Sequence, residues 1–408
     1  MSSFPKRRLR LQFLGTEFFR DHGGIQNINR LLVRAFCRIG LRTPLALDVF
    51  SFTDGPEHIP PGYPFAGSQG AGAFLQWHTA GRSRPAVAWQ LADCLVGSRP
   101  DLVLFTHVAL LPLAELVRTL APGARIAVLA HGTEVWGPLA HRVSRMLPHV
   151  DSFVTPSEFT MQKLAAVHGI PTEKITVLPH GLDPDWAGSC GAAVQECAGS
   201  GTGRVLLSVT RLTRADTAGK GVELVLQALP AVLERFPDAR YIVAGGGGDL
   251  QRVQEIVRSL GLQNSVQCLG PCSGDILRRA YATADVFVLP TQVEGFGVVF
   301  LEAMFNRLPV VAVRASATPE VVEDGVTGLL VAPGDCAALA SALSSLLEDA
   351  TLRRSLADAG RDRVERRYTF DHFVARWEGW LAAQAPEAVY AARQGEFFAL
   401  AQAAAGGN

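Results

Sequence analysis

No apolar run in this 408-residue sequence reaches 18 residues, so the sequence offers no membrane-crossing helix. There is no net charge either: 38 Lys and Arg balance 38 Asp and Glu, and nothing global points to nucleic acid. Cys-x-x-Cys pairs are missing as well. The seven cysteines, at 37, 94, 190, 197, 268, 272 and 336, are odd in number and read as reduced thiols of a cytoplasmic protein. Cys268 and Cys272 flank a turn but have no His or Cys partner at ligand spacing, so a metal site is not expected there. The opening MSSFPKRRLRLQFLG is basic and then apolar. Its apolar part is short for a signal peptide and lacks a small-residue cleavage site, so it reads as a leader running into a first strand. No GxGxxG with a following acidic residue supports a dinucleotide site.

What is present is a globular composition, 48% hydrophobic and 19% charged, with 40 glycines clustered at strand ends. The charge is unevenly spread. Residues 1–180 hold 18 basic against 12 acidic side chains, and residues 181–408 hold 20 against 26. A basic first half favours an anionic membrane surface or an anionic acceptor, with chance asymmetry as the alternative.

Short Val/Ile/Leu-rich runs alternate with amphipathic segments. The first set is 9–15, 45–52, 101–106, 125–130, 151–156 and 174–179; the second is 204–210, 240–246, 265–270, 286–291, 309–314 and 328–332. Helical patterns such as 25–40 and 221–236 fill the gaps. Continuous apolar strands with helices between them imply parallel sheets covered on both faces. The Gly/Ala/Ser-rich stretch 183–204 interrupts the rhythm and reads as a linker. The expected α/β fold is therefore two Rossmann-like doubly wound domains, 1–185 and 204–368, joined by a linker at 186–203 and followed by helices over 369–408. In open α/β sheets ligands bind beyond the carboxyl ends of the strands, which makes a cleft between two such ends the default site.

The chemistry-bearing motifs follow strands. TQVEGFGVVFLEAM (291–304) leaves the run 286–291 and enters a helix near Gly297, whose free N–H groups suit a phosphate. Gly295 and Gly297 let backbone approach a ligand. Glu294 and Glu302 would repel a phosphate and are suited to hydroxyl groups; alternatively Glu302 faces solvent on an amphipathic helix. The loop SVTRLTRADTAGKG (208–221) carries Arg211, Arg214 and Lys220, cations able to neutralise a diphosphate leaving group or simply a solvated basic loop. His131 and His107 end strands, with Glu134 close by. Gly23 and Gly24 open a helix. Ser157 sits at a helix N-cap. Asp183 and Asp185 form a DxD read as hinge rather than metal site, and the glycines of 245–248 mark either a tight turn or a nucleotide neighbourhood.

Taken with LPVVAVRASATPEVVEDGVTGLLVAPGD, PSEFT, LPHGLD and the Arg211–Lys220 loop, the 294–304 motif resembles the retaining glycosyltransferases of family 4, which have the GT-B fold. The likeness spans most of the chain at the right relative spacing. It implies that Glu294 lies against the donor sugar, that Glu302 holds the nucleotide ribose, and that the backbone of Gly295, Phe296, Gly297 and Val298 approaches sugar and diphosphate. It further implies that Arg211 and Lys220 neutralise the departing diphosphate, that His131 contacts the sugar near the reacting carbon, and that the Gly24 loop approaches the donor phosphate or the acceptor. The helix after residue 367 is expected to cross back to the first domain. No cofactor and no metal are expected. The partners implied are a nucleoside diphosphate sugar and a glycan or lipid-linked acceptor. The protein is then cytoplasmic, in peripheral contact with the inner face of the membrane. The resemblance alone implies that the acceptor hydroxyl attacks from the leaving-group face and that a phosphate oxygen takes its proton. Rival readings are a nucleotide-sugar epimerase of the same architecture, a PLP-dependent phosphorylase, for which the chain is short and no lysine site stands out, and a non-catalytic nucleotide-sugar binder.

Overall fold

The computed structural model describes residues 8–20, 23–63, 74–79, 81, 83–186, 204–213, 220–272 and 274–384. The chain divides into two compact units. Unit 1 comprises residues up to Pro156, Thr160–Pro179 and those from Asp371 on; unit 2 comprises Ser157–Phe159 and His180–Phe370.

Unit 1 is built on seven strands: β1 (Leu9–Gly15), β2 (Leu45–Ser51), β3 (Leu75–Thr79), β4 (Leu102–Phe105), β5 (Arg125–Leu129), β6 (Ser152–Thr155) and β7 (Ile175–Val177). They pair in the order β3-β2-β1-β4-β5-β6-β7, every ladder parallel. Side chains alternate between two covered faces. Leu14, Phe50, Val103, Phe105, Ile126 and Val128 share a buried cluster with Val87, Leu91 and Leu95 of helix Arg84–Ser98. Phe13, facing the other way, meets Phe36 of helix Gly24–Gly40 edge to face at 5.5 Å. Phe36 in turn meets Trp377 of helix Phe370–Gln384 at 5.6 Å. Residues from Asp371 on thus pack as part of unit 1, and Arg38 pairs with Asp371 at 3.0 Å. Each fully buried Leu, Val or Phe contributes on the order of 2 kcal/mol relative to exposure.

Unit 2 repeats the plan with β8 (Val205–Val209), β9 (Arg240–Ala244), β10 (Val266–Gly270), β11 (Val286–Leu289), β12 (Val310–Val313) and β13 (Gly328–Val331), ordered β10-β9-β8-β11-β12-β13 and again all parallel. One face packs Leu206, Val243, Val288 and Val311 on helices Val222–Arg235 and Cys336–Glu348. The opposite face packs Leu207, Phe287 and Val310 on Phe300 and Met304 of helix Val298–Phe305.

The two doubly wound sheets are the α/β architecture that the alternation of runs anticipates. Two details differ. Strand β3 (LQWHT) was not anticipated, because it is a half-exposed edge strand of mixed polarity that presents no apolar run. The sequence also carries the first domain through residue 185, whereas residues from His180 pack in unit 2. Leu182 N–H donates to Tyr368 O at 2.7 Å, and Trp186 meets Tyr281 at 5.2 Å. The expected linker 186–203 lies outside the described residues except for Trp186, as does the tail beyond 384.

Candidate active site

In unit 2 the strand order reverses between β8 and β11, and the conspicuous motifs leave those two strands. Beyond β11 the chain passes buried Thr291 into the loop bearing Glu294. That loop is fixed from several sides. Ser316 Oγ accepts from Glu294 N–H at 3.0 Å, Ala317 N–H donates to Glu294 O at 3.2 Å, and Ser157 Oγ donates to Gly295 O at 2.7 Å. Phe296 is anchored between His180 (5.2 Å) and Tyr368 (5.9 Å) and is 4% exposed. Its side chain therefore belongs to the core, and only its backbone is left to face a ligand. Gly297 caps helix Val298–Phe305 with φ 90°, and a Cβ there would stand 2.4 Å from the Phe300 ring. Only glycine satisfies both demands.

Lys220 reaches this loop from the other motif. Its Nζ lies 2.6 Å from Glu294 Oε2 and 3.4 Å from Val293 O. The close approach depends on Gly221, the N-cap of helix Val222–Arg235, with φ 76°. A Cβ at Gly221 would lie 2.3 Å from Pro290 O, at the exit of β11. Both charged side chains are largely covered, at 20% and 15% exposure. Arg211 is exposed at the exit of β8, on a backbone tied at Thr210 N–H to Ala244 O (3.0 Å) and at Leu212 N–H to Gly246 O (3.0 Å). Arg214 lies outside the described residues. The glycine run has a packing reason: Cβ atoms at Gly245 and Gly247 would collide with Thr210 O and Leu212 O.

Glu302 is half-buried and turned to a protein partner rather than fully out to solvent. Tyr281 Oη donates to its Oε2 at 2.8 Å, and Tyr281 is fully buried, stacked on Phe287 and edge-on to Trp186. Burial raises the Glu302 carboxyl to about 7; the Tyr281 bond works the other way and the nearby Asp183 charge adds to the rise. Sequence reasoning missed Tyr281, whose only signal was a lone aromatic in a polar helix. Asp183 accepts from Asp185 N–H at 2.8 Å, a local turn within the DxD.

Ser157 stands just before helix Glu158–His168, the position expected of a cap, and also makes a long-range bond. Its hydroxyl donates to Gly295, and the first N–H groups of helix Glu158–His168, those of Glu158 and Phe159, go to the two carboxylate oxygens of Glu320 at 2.8 Å each.

In unit 1, His131 follows β5. Its Nε2 bonds Thr106 O at 2.7 Å, and its backbone N–H donates to the Glu134 carboxylate. A carbonyl partner fixes the proton on Nε2 of the neutral ring and leaves the lone pair on Nδ1. The His107 ring lies 6.4 Å away, its Nδ1 accepting from Ala109 N–H at 3.0 Å. Burial pushes both histidines below the ordinary range, against the pull of Glu134. Gly23 caps helix Gly24–Gly40 in extended backbone with no side-chain bond, the first turn holds no acidic residue, and a Cβ on Gly24 would meet open space. The buried Asp54 carboxylate holds the preceding loop, accepting from the N–H groups of Phe18 (2.7 Å) and Arg20 (2.9 Å). No helix among the described residues is long and apolar enough to cross a membrane.

Comparison with known proteins bears on these two units. Residues 198–363 match the family described as glycosyl transferases group 1, and residues 22–186 match glycosyltransferase family 4. The chain is 31% identical over 291 residues to the GDP-mannose-dependent alpha-(1-6)-phosphatidylinositol monomannoside mannosyltransferase of Mycolicibacterium smegmatis, covering 68% of this chain and 75% of that protein. Over 190 residues, 46% of this chain and 48% of the other, it is 36% identical to the phosphatidyl-myo-inositol mannosyltransferase of Mycobacterium leprae. In structure it is similar to Anabaena HepE in complex with UDP and glucose, with TM-score 0.70, 19% identity, and 92% and 100% of the two chains covered. The sucrose-phosphate synthase of Thermosynechococcus elongatus gives TM-score 0.72 at 20% identity, covering 92% and 99%.

Proposed function

We propose that this chain, which belongs to the family-4 glycosyltransferases of GT-B fold, moves a hexosyl group from a nucleoside diphosphate sugar to a hydroxyl of a glycan or lipid-linked acceptor, with retention of configuration. Its membership rests on the two family matches and the mycobacterial relative; donor, acceptor and stereochemistry are the proposal.

One observation carries the reading: Lys220 and Glu294, held 2.6 Å apart beside the helix that starts after Gly297. As the bond from sugar to diphosphate breaks, negative charge grows on the leaving group. A fixed ammonium and the uncapped helix N–H groups stabilise it without reorganisation. Arg211, on the adjacent strand exit, adds a second cation. Glu294 accepts from sugar hydroxyls, and Glu302 accepts from the ribose when ionised. The roles of Gly295, Phe296, Gly297 and Val298 are carried by their backbone. For His131 and the Gly24 loop, the roles toward sugar and phosphate rest on the family resemblance. A phosphate oxygen takes the acceptor proton, and no metal ion takes part.

GDP-mannose is the first donor to test, because the mycobacterial relatives are GDP-mannose-dependent. The phosphatidylinositol-based acceptor in the names of the same relatives supports a lipid-linked acceptor, and the basic excess of residues 1–180 supports action at an anionic membrane surface; its cytoplasmic face is part of the proposal. The test is a thermal-shift comparison of GDP-mannose, UDP-glucose and ADP-glucose, then transfer with the stabilising donor in chelator, the product anomer read by proton NMR. Selective stabilisation and an axial product bond support the proposal. An equatorial product rejects retention, an epimer formed from donor alone makes the chain an isomerase, and binding without product makes it a carrier.

A further inference from the structure

At the open edge of the unit 1 sheet, three side chains from three elements converge. Asp48 lies on β2, His78 on edge strand β3 and Cys94 on helix Arg84–Ser98. Register places Phe50 opposite His78 and Asp48 opposite Gln76, so Asp48 and His78 lie on the same sheet face, the one this helix covers. The His78 ring stacks on Phe50 at 4.4 Å with 12° between planes, which fixes where its nitrogens point. His78 Nε2 lies 3.0 Å from Asp48 Oδ1, and Cys94 Sγ lies 3.8 Å from Nε2 and 4.0 Å from Nδ1. One ligating atom from each residue falls within 4.8 Å of the others, and this is the one such trio among the described residues. Asp48 and His78 side chains are each 17% exposed, so the trio is in reach of solvent.

The surrounding polar atoms are not at rest. Gln12 sits beside Asp48 in the β1–β2 register and is 1% exposed. Its Nε2 donates to Ser98 Oγ at 3.3 Å, but its Oε1 is buried without a hydrogen-bond partner. Gln90, one turn before Cys94 on the helix, buries a second unpartnered Oε1. Buried acceptors without donors are costly unless a water or ion reaches them.

We propose that Asp48, His78 and Cys94 bind a divalent, thiophilic metal ion of the zinc class, completed by water. The donor set of one thiolate, one imidazole and one carboxylate is that of borderline-soft cations. Zinc bonds of about 2.0–2.3 Å in a tetrahedron separate ligand atoms by roughly 3.3–3.8 Å, so Asp48 Oδ1 must give up its 3.0 Å contact with His78 Nε2 and draw back slightly, while Cys94 Sγ at 3.8 Å from Nε2 is already close to ligand spacing. A Cys–His nucleophile is the other chemistry such a trio offers. Burial pushes the Cys94 thiol up to about 11, with Asp48 and Asp93 adding to the rise, the opposite of what activates a nucleophile. A bound cation reverses that balance by taking the thiolate directly. The ion would clip β3, held in the sheet by β2 alone, to the helix that covers it. This inference is independent of the sugar-transfer reading.

The experiment strips the full-length protein with chelator and titrates it with Co(II), then with Zn(II). One equivalent of Co(II) is expected to give a near-ultraviolet thiolate charge-transfer band and the visible bands of a four-coordinate ion, both abolished by one equivalent of Zn(II). Cys94→Ser is expected to lose the charge-transfer band. Asp48→Asn and His78→Gln are expected to weaken Co(II) by more than the about tenfold typical of a lost outer-sphere hydrogen bond. In the unmutated protein, Zn(II) is expected to slow alkylation of Cys94 by about tenfold or more, mapped by peptide mass spectrometry, while Cys336 reacts unchanged; this arm holds even if a variant misfolds. No charge-transfer band, a band that survives Cys94→Ser, or Cys94 alkylation indifferent to Zn(II) overturns the proposal.

Discussion

The two units wind their sheets alike yet bury opposite kinds of titratable group beyond the strand ends. Unit 1 holds two histidines in which burial favours the neutral base; unit 2 holds Glu302, in which burial favours the neutral acid. Both follow from one rule, that desolvation penalises the charged form. The chemistry offered differs: a neutral imidazole at His131 in one unit, a carboxyl poised between donor and acceptor in the other. Beside Glu302's helix, unit 2 adds a fixed charge pair, Lys220 with Glu294; among the described residues, unit 1 offers at its first strand exit the helix start after Gly23, where Gly23 makes no side-chain cap bond. Similar folds therefore carry different chemistry in the loops that leave their strands.

The sharpest way to break the comparison is to remove the charge pair. Lys220→Ala and Glu294→Ala are each expected to cut turnover by on the order of a hundredfold, since one lost preorganised contact costs about 3 kcal/mol. Steady-state kinetics on the stabilising donor check this, and near-normal turnover in both variants removes unit 2 as the seat of leaving-group stabilisation.

Glu302→Gln comes next. A hydrogen bond to a charged group is worth about 1.5–3 kcal/mol, so donor KM is expected to rise about tenfold or more at pH 8. In the parent, donor affinity is expected to strengthen as pH rises through about 7, when Glu302 ionises; the glutamine variant is expected to lose that dependence. A dependence that persists assigns it to another group.

Stability offers a test of opposite sign in the two units. For His131 and His107 the folded form binds protons less readily than the unfolded chain, so their contribution is present above about pH 6.5 and declines as pH falls below it. Glu302 binds its proton more readily when folded, so its contribution is present below about pH 4.5 and is lost as pH rises through about 7. Thermal melts from pH 5 to 8 are expected to lose part of their acid sensitivity in His131→Asn and part of their opposing alkaline slope in Glu302→Gln. Parallel pH profiles for both variants and the parent contradict the assignment.

Tyr281→Phe is the mildest change. It deletes one buried hydrogen bond worth about 1 kcal/mol, so donor KM is expected to rise roughly fivefold. Because that bond favours the ionised carboxylate, its loss is expected to move the pH dependence of donor affinity upward. A downward shift means that the phenol acts otherwise.

The sequence alone determined the strands that read as continuous apolar runs, the parallel winding that such runs require, and the glycines and carboxylates that follow β11. These are local properties: hydrophobic pattern and helix-end chemistry act over a few residues. It could not reveal β3, because an edge strand needs no continuous apolar run. Only the tertiary structure decided which distant groups meet. Lys220 and Glu294 are 74 positions apart, and Gly221 beside Pro290 is what lets them touch. Tyr281 finds Glu302, and Phe296 turns its ring into the core. Asp48, His78 and Cys94 show no ligand spacing in the chain; sheet register and one covering helix bring them together. Such meetings depend on how buried faces pack across the fold, and no short stretch of sequence encodes them.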